Sequence, residues 1–297
     1  MRLSELVTER RNRATENLDA MSALEIVSAM SREDATVPRR VRRALPQIAK
    51  AVDLIAERFA KGGRLIYVGT GTSGRIGALD ASECPPTFGT SPKKVQFLIA
   101  GGDEALVHAT EASEDSAELG QRDMARRRPG KRDVVVGLAA SGVTPYTIAA
   151  LKYARSKGAA TVGIACNRDS ALGKAADLAI DVEVGPEVLT GSSRLKAGTA
   201  QKMICNMLST GAMARVGYVS SNLMVNLVLK NRKLVERGIA IIQTLAQVDY
   251  ATAEKTLVHA GMRLPVALVM LKARVSKAEA ARRLKKSKGN VRKAIKG

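Results

Sequence analysis

Several kinds of residue and segment are scarce in this chain of 297 residues, and each scarcity excludes a class of protein. Its three cysteines, Cys84, Cys166 and Cys205, are too few and too scattered for a disulfide framework or a zinc site, so we expect reduced thiols. No uninterrupted apolar run reaches the eighteen or so residues of a membrane span. The charged N-terminal segment is unlike a secretory signal. We therefore expect a cytoplasmic protein that has no membrane partner.

Histidine is also scarce, which limits the groups that could transfer protons. His108 and His259 are the only two, and both fall on predicted amphipathic helices, where a structural role is typical. Carboxylates remain, among them Glu83, whose neighbours Cys84-Pro85-Pro86 predict a rigid, non-helical segment. Glu114 falls on the helix predicted after the second strand. Periodicity alone does not separate these two from other nearby glutamates, namely Glu104, Glu111 and Glu118.

Acidic residues are fewer than basic ones, 28 against 48, which gives a net charge of +20. About half of this excess lies between Lys272 and Gly297, a stretch with eleven basic residues and one acid. Such a charge run is typical of a solvated surface, although it could also contact polyanions. We therefore expect at most non-specific contact between nucleic acid and this basic tail.

Short apolar segments rich in β-branched residues alternate with amphipathic ones through the middle of the chain. The predicted strands are 64–70, 94–100, 133–141, 160–167 and 178–185. Long helices are predicted over about 46–61, 196–217 and 222–246. This alternation predicts an α/β fold in which helices cover both faces of a parallel sheet. In such sheets the ligand crevice lies beyond the carboxyl ends of the strands.

The pattern changes to short helical segments near the C-terminus. Ser276 with Glu279 matches a capping box, and Gly289 interrupts the last helical pattern. We predict a large α/β domain over residues 1–246, followed by a small three-helix domain over 247–297 that carries the basic tail.

A glycine-rich turn follows the first predicted strand. Gly69, Gly71 and Gly74 formally match a dinucleotide fingerprint, but the next strand does not end in the acidic residue that would hold a ribose. The lysine of a Walker loop is also absent. Thr72 and Ser73 instead place hydroxyls among the glycines, and hydroxyls with backbone N–H groups at a helix start suit a phosphate monoester.

The same chemistry recurs after two more predicted strands. Ser141 and Thr144 follow the third strand, and a segment after the fifth strand contains Ser192, Ser193, Arg194 and Lys196. Each segment alone could be an ordinary helix cap. Because the strands are parallel, their carboxyl ends meet at one edge of the sheet, which favours a sugar phosphate as the ligand. The predicted binding residues are Gly71, Thr72, Ser73, Ser141, Thr144, Ser192, Ser193, Arg194 and Lys196.

Long segments of the chain resemble a known family. They are GTSGRIGALDASECPPTFGT, EASEDS, GLAASGVTPYTIAALKYA, CNRDSAL and TGSSRLKAGTAQKMICNMLSTGAMARVGYVSSNLMV. They are similar to the N-acetylmuramic acid 6-phosphate etherases, and the N-terminal and C-terminal segments resemble that family too. The sequence departs from the family pattern at Val143, where arginine is expected, at Asn226, where aspartate is expected, and over 217–222.

The resemblance implies a sugar isomerase (SIS) fold, a small C-terminal bundle like a ubiquitin-associated domain, a cytoplasmic homodimer, and no metal or cofactor. It implies cleavage of the lactyl ether of N-acetylmuramic acid 6-phosphate to N-acetylglucosamine 6-phosphate and D-lactate during recycling of cell-wall sugars. Glu83 and Glu114 match the family's acid and base. We assign Glu83 as the acid that protonates the departing lactate and Glu114 as the base.

Two other functions are consistent with parts of the sequence. A sugar-phosphate sensor of the same fold, like the glucokinase regulatory protein, would keep the phosphate anchor without turnover. A nucleic-acid regulator could use the basic tail as a helix-turn-helix. The presence of both Glu83 and Glu114 favours the enzyme.

Overall fold

A five-stranded parallel sheet forms the centre of the fold in this computed structural model, which describes residues 6–108 and 113–297. The strands run in the order β2-β1-β3-β4-β5. Their bounds are β1 (Leu65–Gly69), β2 (Val95–Ile99), β3 (Val134–Ala139), β4 (Ala160–Ala165) and β5 (Leu178–Asp181). Every residue of β1, β3 and β4 is buried, as expected when helices cover both faces of a sheet. The predicted α/β fold is confirmed.

Thirteen α-helices occur among the described residues. The first eight are α1 (Ala23–Asp34), α2 (Val37–Arg43), α3 (Leu45–Ala60), α4 (Gly71–Phe88), α5 (Ala117–Arg127), α6 (Pro145–Ser156), α7 (Ala171–Ala175) and α8 (Lys196–Val216). The rest are α9 (Arg232–Ala246), α10 (Tyr250–His259), α11 (Leu264–Ala273), α12 (Lys277–Lys286) and α13 (Val291–Lys296). Short 3-10 helices cover Val7–Glu9, Arg13–Thr15, Leu18–Ala20 and Gly102–Leu106.

The chain forms two compact units. The first comprises the described residues up to Ser82 together with Lys93–Ser209, and it contains the sheet. The second comprises Glu83–Pro92 and Thr210–Gly297. A hydrophobic core in this unit includes residues of α9, α10, α11, α12 and α13. These units differ from the predicted domains 1–246 and 247–297, because α9 shares a core with the helices that follow it, and four described helices rather than three follow residue 246.

Two predictions about helix bounds were wrong. Helix α4 continues through Pro85 and Pro86 to Phe88, where a non-helical segment was expected. The prolines lie near the C-terminal end of the helix, so few hydrogen bonds are lost there, and Phe88 is buried. Helix α9 begins at Arg232 rather than near 222, because the Asn231 side chain accepts a hydrogen bond from Leu234 N and caps the helix there.

A helix that spans a membrane needs about twenty predominantly apolar residues. In the described part of the chain, no single helix meets this requirement. Helices α10 and α11 together pass by length and composition, but they are bent by 115° at the break between them.

Candidate functional site

A cavity of about 460 Å³ lies at the carboxyl ends of β1 and β3, within the first compact unit. It collects residues from all three hydroxyl-rich segments that the sequence singled out. Its described lining residues are Glu9, Thr70, Gly71, Thr72, Ser73, Glu114, Asp115, Ala139, Ala140, Ser141, Val143, Thr144, Pro145 and Ser193. Of the predicted site residues, the structure therefore brings together Gly71, Thr72, Ser73, Ser141, Thr144, Ser193 and Glu114.

The turn after β1 brings the start of α4 close to the sheet. A Cβ at Gly69 would lie 2.9 Å from both Gly74 N and Leu138 O, and a Cβ at Gly74 would lie 2.6 Å from Ile99 Cγ1. Gly71 has φ +48° and begins the helix. The first N–H groups of a helix have no partner inside it, so this turn presents donors at the cavity wall.

Ser73 lies in the first turn of α4 and is 8% exposed. Its hydroxyl donates a hydrogen bond of 2.9 Å to Oε1 of Gln201, a buried residue of α8. Ser73 is thus a cavity residue whose orientation depends on a second helix. Gln201 was not predicted, since its position among the apolar residues of α8 gives no signal of a polar role.

The turn after β3 leads into α6. Gly142 has φ +75°, and a Cβ there would lie 2.4 Å from Ser170 Cβ, so a side chain does not fit. Ser141 Oγ accepts a hydrogen bond of 3.3 Å from Val143 N. Pro145 opens α6, where its fixed φ suits the first turn of a helix. This turn places the Ser141 and Thr144 hydroxyls at the cavity wall.

Glu114 lies in a turn before α5, not on a helix as predicted. The helix starts only at Ala117, because Ser116 Oγ accepts a hydrogen bond of 3.1 Å from Leu119 N and caps it. The Thr144 hydroxyl donates a bond of 3.1 Å to Glu114 Oε1, and Tyr146 N donates to the Glu114 carbonyl oxygen at 3.1 Å. Two bonds from the start of α6 therefore hold Glu114 at the cavity wall.

A second glutamate, Glu9, reaches the same cavity from the N-terminal segment. Asn167 holds this segment: its Oδ1 accepts a bond of 2.7 Å from Val7 N, and its Nδ2 donates to Thr8 Oγ1 at 3.2 Å. Nδ2 also lies 3.2 Å from the carbonyl oxygens of Ala140 and Ser141, the two residues that follow β3. No pattern in the sequence marked Glu9 as a site residue, because it lies far along the chain from every strand.

Four predicted site residues are not among the described residues that line the cavity. Ser192 is half-buried and Arg194 is exposed. Lys196 is 2% exposed, and its ammonium group is paired with Glu33 of α1. Glu83 is exposed and belongs to the second compact unit.

The start of α8 is also occupied by a protein carboxylate. Glu187 is fully buried, and its oxygens accept bonds from the N–H groups of Lys196 at 3.0 Å and Ala197 at 2.9 Å. Burial raises the pKa of Glu187, although these bonds oppose the rise. Because these N–H groups already bond to the carboxylate, they are not available to an anionic ligand.

Among the described residues that line the cavity, every charged side chain is acidic. They are Glu9, Glu114 and Asp115, and Val143 stands where an arginine was expected from the resemblance. A phosphate in this cavity would therefore be held by hydroxyls and backbone N–H groups rather than by cationic side chains.

Two family models match parts of the chain. The glucokinase regulatory protein N-terminal SIS domain matches residues 47–155, and the SIS domain matches residues 111–211. The crystal structure of a proposed sugar-phosphate isomerase from Listeria monocytogenes superposes with a TM-score of 0.51, covering 67% of this chain and 94% of that one at 18% identity. That similarity supports the SIS-type fold.

Curated relatives match nearly the whole chain. An N-acetylmuramic acid 6-phosphate etherase of Pasteurella multocida is 50% identical, with 98% of this chain and 96% of the relative covered. N-acetylmuramic acid 6-phosphate etherase 2 of Lactiplantibacillus plantarum is 52% identical, with 99% and 100% covered. The etherase of Mycolicibacterium smegmatis is also 52% identical, with 99% of each chain covered. With this identity over full length and an SIS-type sheet, the chain belongs to the N-acetylmuramic acid 6-phosphate etherase family.

Proposed function

We propose that this protein cleaves the D-lactyl ether of N-acetylmuramic acid 6-phosphate, giving N-acetylglucosamine 6-phosphate and D-lactate in the recycling of cell-wall amino sugars. One observation carries the proposal: a single cavity holds the carboxylate of Glu114 together with hydroxyl and N–H donors from three segments. The full-length similarity to etherases supports the same reaction.

The reaction needs proton transfers at two neighbouring carbons. In the ring-opened sugar, the aldehyde acidifies the hydrogen on carbon 2. A base removes that proton, and the electrons of the resulting enolate expel the lactyl oxygen from carbon 3 while an acid protonates it. Water then adds across the double bond between carbons 2 and 3. Each positioned proton transfer contributes typically 10²–10⁴-fold to the rate, so carboxylates suffice.

The phosphate binds at the start of α4 in this proposal. Thr72 and Ser73 supply hydroxyls there, Ser141 supplies one from the neighbouring turn, and the first N–H groups of the helix supply further donors. Anchoring the distant phosphate fixes carbons 2 and 3 relative to the carboxylates, so the proton transfers occur within one bound complex in a fixed geometry.

Glu114 is the base that takes the carbon 2 proton. The Thr144 hydroxyl bonds to Oε1 and fixes the carboxylate plane, so the other oxygen can accept the proton. This contact gives Thr144 a different role from the phosphate binding first expected of it.

Glu83 is the acid in this proposal, and it acts in the cavity of a second subunit of a homodimer. Its exposure and its absence from the described lining of the cavity are the observations behind this assignment. Each active site would then combine Glu114 of one subunit with the Glu83 position of the other.

Mixing two inactive variants tests this arrangement. If the two carboxylates come from different subunits, unfolding and refolding a mixture of Glu83→Gln and Glu114→Gln gives mixed dimers with one intact site. Random pairing makes half of the dimers mixed, so about a quarter of wild-type activity should return. If both carboxylates act within one chain, the mixture stays inactive, and the assignment to two subunits is wrong.

Release of D-lactate from N-acetylmuramic acid 6-phosphate is the decisive assay for the activity. Unphosphorylated N-acetylmuramic acid is the matched control substrate, and it should turn over far more slowly because it lacks the anchored group. Glu114→Gln should abolish both lactate release and exchange of the carbon 2 hydrogen with solvent deuterium. Glu83→Gln should keep some exchange while losing lactate release. No lactate from the wild-type protein would refute the proposed activity.

We also propose a cytoplasmic location. The three cysteines are not disulfide-bonded and all are buried, which fits a reducing compartment. Location of a fluorescent fusion by microscopy tests this, and a fusion found outside the cytoplasm would contradict it.

A further inference from the structure

The contact between Ser73 and Gln201 gives this buried glutamine a part in phosphate binding that follows from hydrogen-bond counting. A serine hydroxyl has one proton and can donate only one hydrogen bond at a time. In the structure that bond goes to Gln201 Oε1, over 2.9 Å. Ser73 cannot keep this bond and also donate to a phosphate in the cavity that it lines.

Gln201 has an unused donor. It is 1% exposed, and within the described part of the chain its Nε2 is buried without a hydrogen-bond partner. A buried N–H group with no partner is rare and costly. The unpaired amide nitrogen therefore calls for an explanation beyond packing.

A half-turn of the amide group frees the serine proton and gives the nitrogen a partner. It leaves Oε1 in the position where Nε2 now lacks one, and an unpaired buried carbonyl oxygen is more common than an unpaired N–H group. Rotation about the Cγ–Cδ bond exchanges Oε1 and Nε2, so the nitrogen takes the position that now lies 2.9 Å from Ser73 Oγ. There it donates to a lone pair of the serine oxygen. The serine proton is released, and the hydroxyl can donate it to an anion while Gln201 holds its oxygen in place.

We propose that Gln201 is a positioning residue for the substrate phosphate: by donating to Ser73 Oγ, it directs the Ser73 hydroxyl proton into the cavity. The inference rests on the proposed function, in which the cavity binds a sugar phosphate. Gln201 acts only through Ser73. An acceptor-only group at this position would reverse the effect, because it would draw the serine proton away from the phosphate.

The test compares two substitutions that differ in hydrogen bonding. Gln201→Glu keeps the size and shape of the side chain, but an ionised carboxylate only accepts hydrogen bonds. Gln201→Met has a similar length and neither accepts nor donates strongly. If Gln201 positions Ser73, KM for the sugar phosphate and Ki for inorganic phosphate should rise about 10-fold or more in Gln201→Glu and by less in Gln201→Met. The value of kcat should change less than about 3-fold in both variants. A purely structural role also makes Gln201→Glu the costlier substitution, because it buries a charge, but it predicts a loss of folded protein rather than a rise in KM and Ki at nearly unchanged kcat.

A second pair of variants removes the contribution of the added charge. In a Ser73→Ala background the glutamine has no hydroxyl to direct, so adding Gln201→Met should leave KM and Ki within about 2-fold of Ser73→Ala alone. Circular dichroism and a melting curve for each variant confirm that it is folded. Full additivity of the two substitutions would overturn the inference.

The outcomes separate this inference from the proposed function. If the wild-type protein releases lactate but Gln201→Met raises KM and Ki by the same factor in the wild-type and Ser73→Ala backgrounds, the positioning role is wrong and the etherase activity is supported. A wild-type protein that neither binds inorganic phosphate by calorimetry nor releases lactate overturns both. Phosphate binding with the expected coupling but no lactate release supports the positioning role and refutes the etherase.

Discussion

Replacing Thr144 by valine tests how Glu114 is held. Valine has nearly the same shape as threonine but lacks the hydroxyl that donates 3.1 Å to Glu114 Oε1. Thr144 is 5% exposed, and its side chain makes no capping bond to α6, so the substitution removes this contact without uncapping the helix. The fold should be retained.

The size of the effect follows from the charge on the acceptor. A hydrogen bond to a charged group contributes about 1.5–3 kcal/mol, which corresponds to roughly 10- to 150-fold in rate if the whole bond is needed in the transition state. Glu114 is half-buried and keeps its backbone bond from Tyr146 N, so we expect the lower part of this range. The loss should appear in kcat, because Thr144 orients the base rather than the phosphate.

Steady-state release of D-lactate by Thr144→Val, compared with Thr144→Ser, measures this. Serine keeps the hydroxyl, so Thr144→Ser should stay within a few-fold of the wild-type kcat. Equal activity of the two variants would show that the hydroxyl does not matter. If Thr144→Val instead raised KM without lowering kcat, Thr144 would bind the phosphate, as the sequence first indicated.

Three further predictions concern stability and charge. Glu33→Ala should lower the free energy of unfolding in urea by about 3 kcal/mol, because it removes the salt-bridge partner of the buried Lys196 ammonium. A double variant that also carries Lys196→Met should recover most of this loss, and no recovery would contradict the pairing. Burial raises the pKa of Cys166 to about 12 and also raises that of Cys205. A thiol reagent at neutral pH should therefore label these cysteines only after unfolding, and prompt labelling of the folded protein would contradict their burial. DNA binding by the basic tail should collapse between about 50 and 200 mM salt because it rests on counterion release, and a sequence-specific footprint that persists at the higher salt would favour a regulator.

The sheet and the hydroxyl-rich turns could be predicted because their signals are local. Buried parallel strands are short apolar runs of β-branched residues, and all five predicted segments contain a strand. The residues after β1 and β3 then had to lie at one edge of the sheet, and Ser73, Ser141 and Thr144 do line one cavity.

The rest depended on contacts between residues that are distant in the sequence. Gln201 lies 128 positions from Ser73, and neither helical periodicity nor composition marks it as a polar partner. Lys196 follows the hydroxyls of the third segment and was predicted to bind phosphate, but its ammonium group forms a salt bridge with Glu33 of α1. Pro85 and Pro86 usually end a helix, yet α4 extends beyond them.

The bond between Asn167 and Val7, 160 positions apart, has a consequence for folding and biosynthesis. The turn after β1 and the first turn of α4 lie close together in the sequence, so they can form early. The wall that includes Glu9 cannot form until Asn167 has left the ribosome and β4, which precedes it, has joined the sheet, because closing so long a loop is slow. A nascent chain should therefore acquire the glycine-rich turn after β1 well before it acquires a complete cavity.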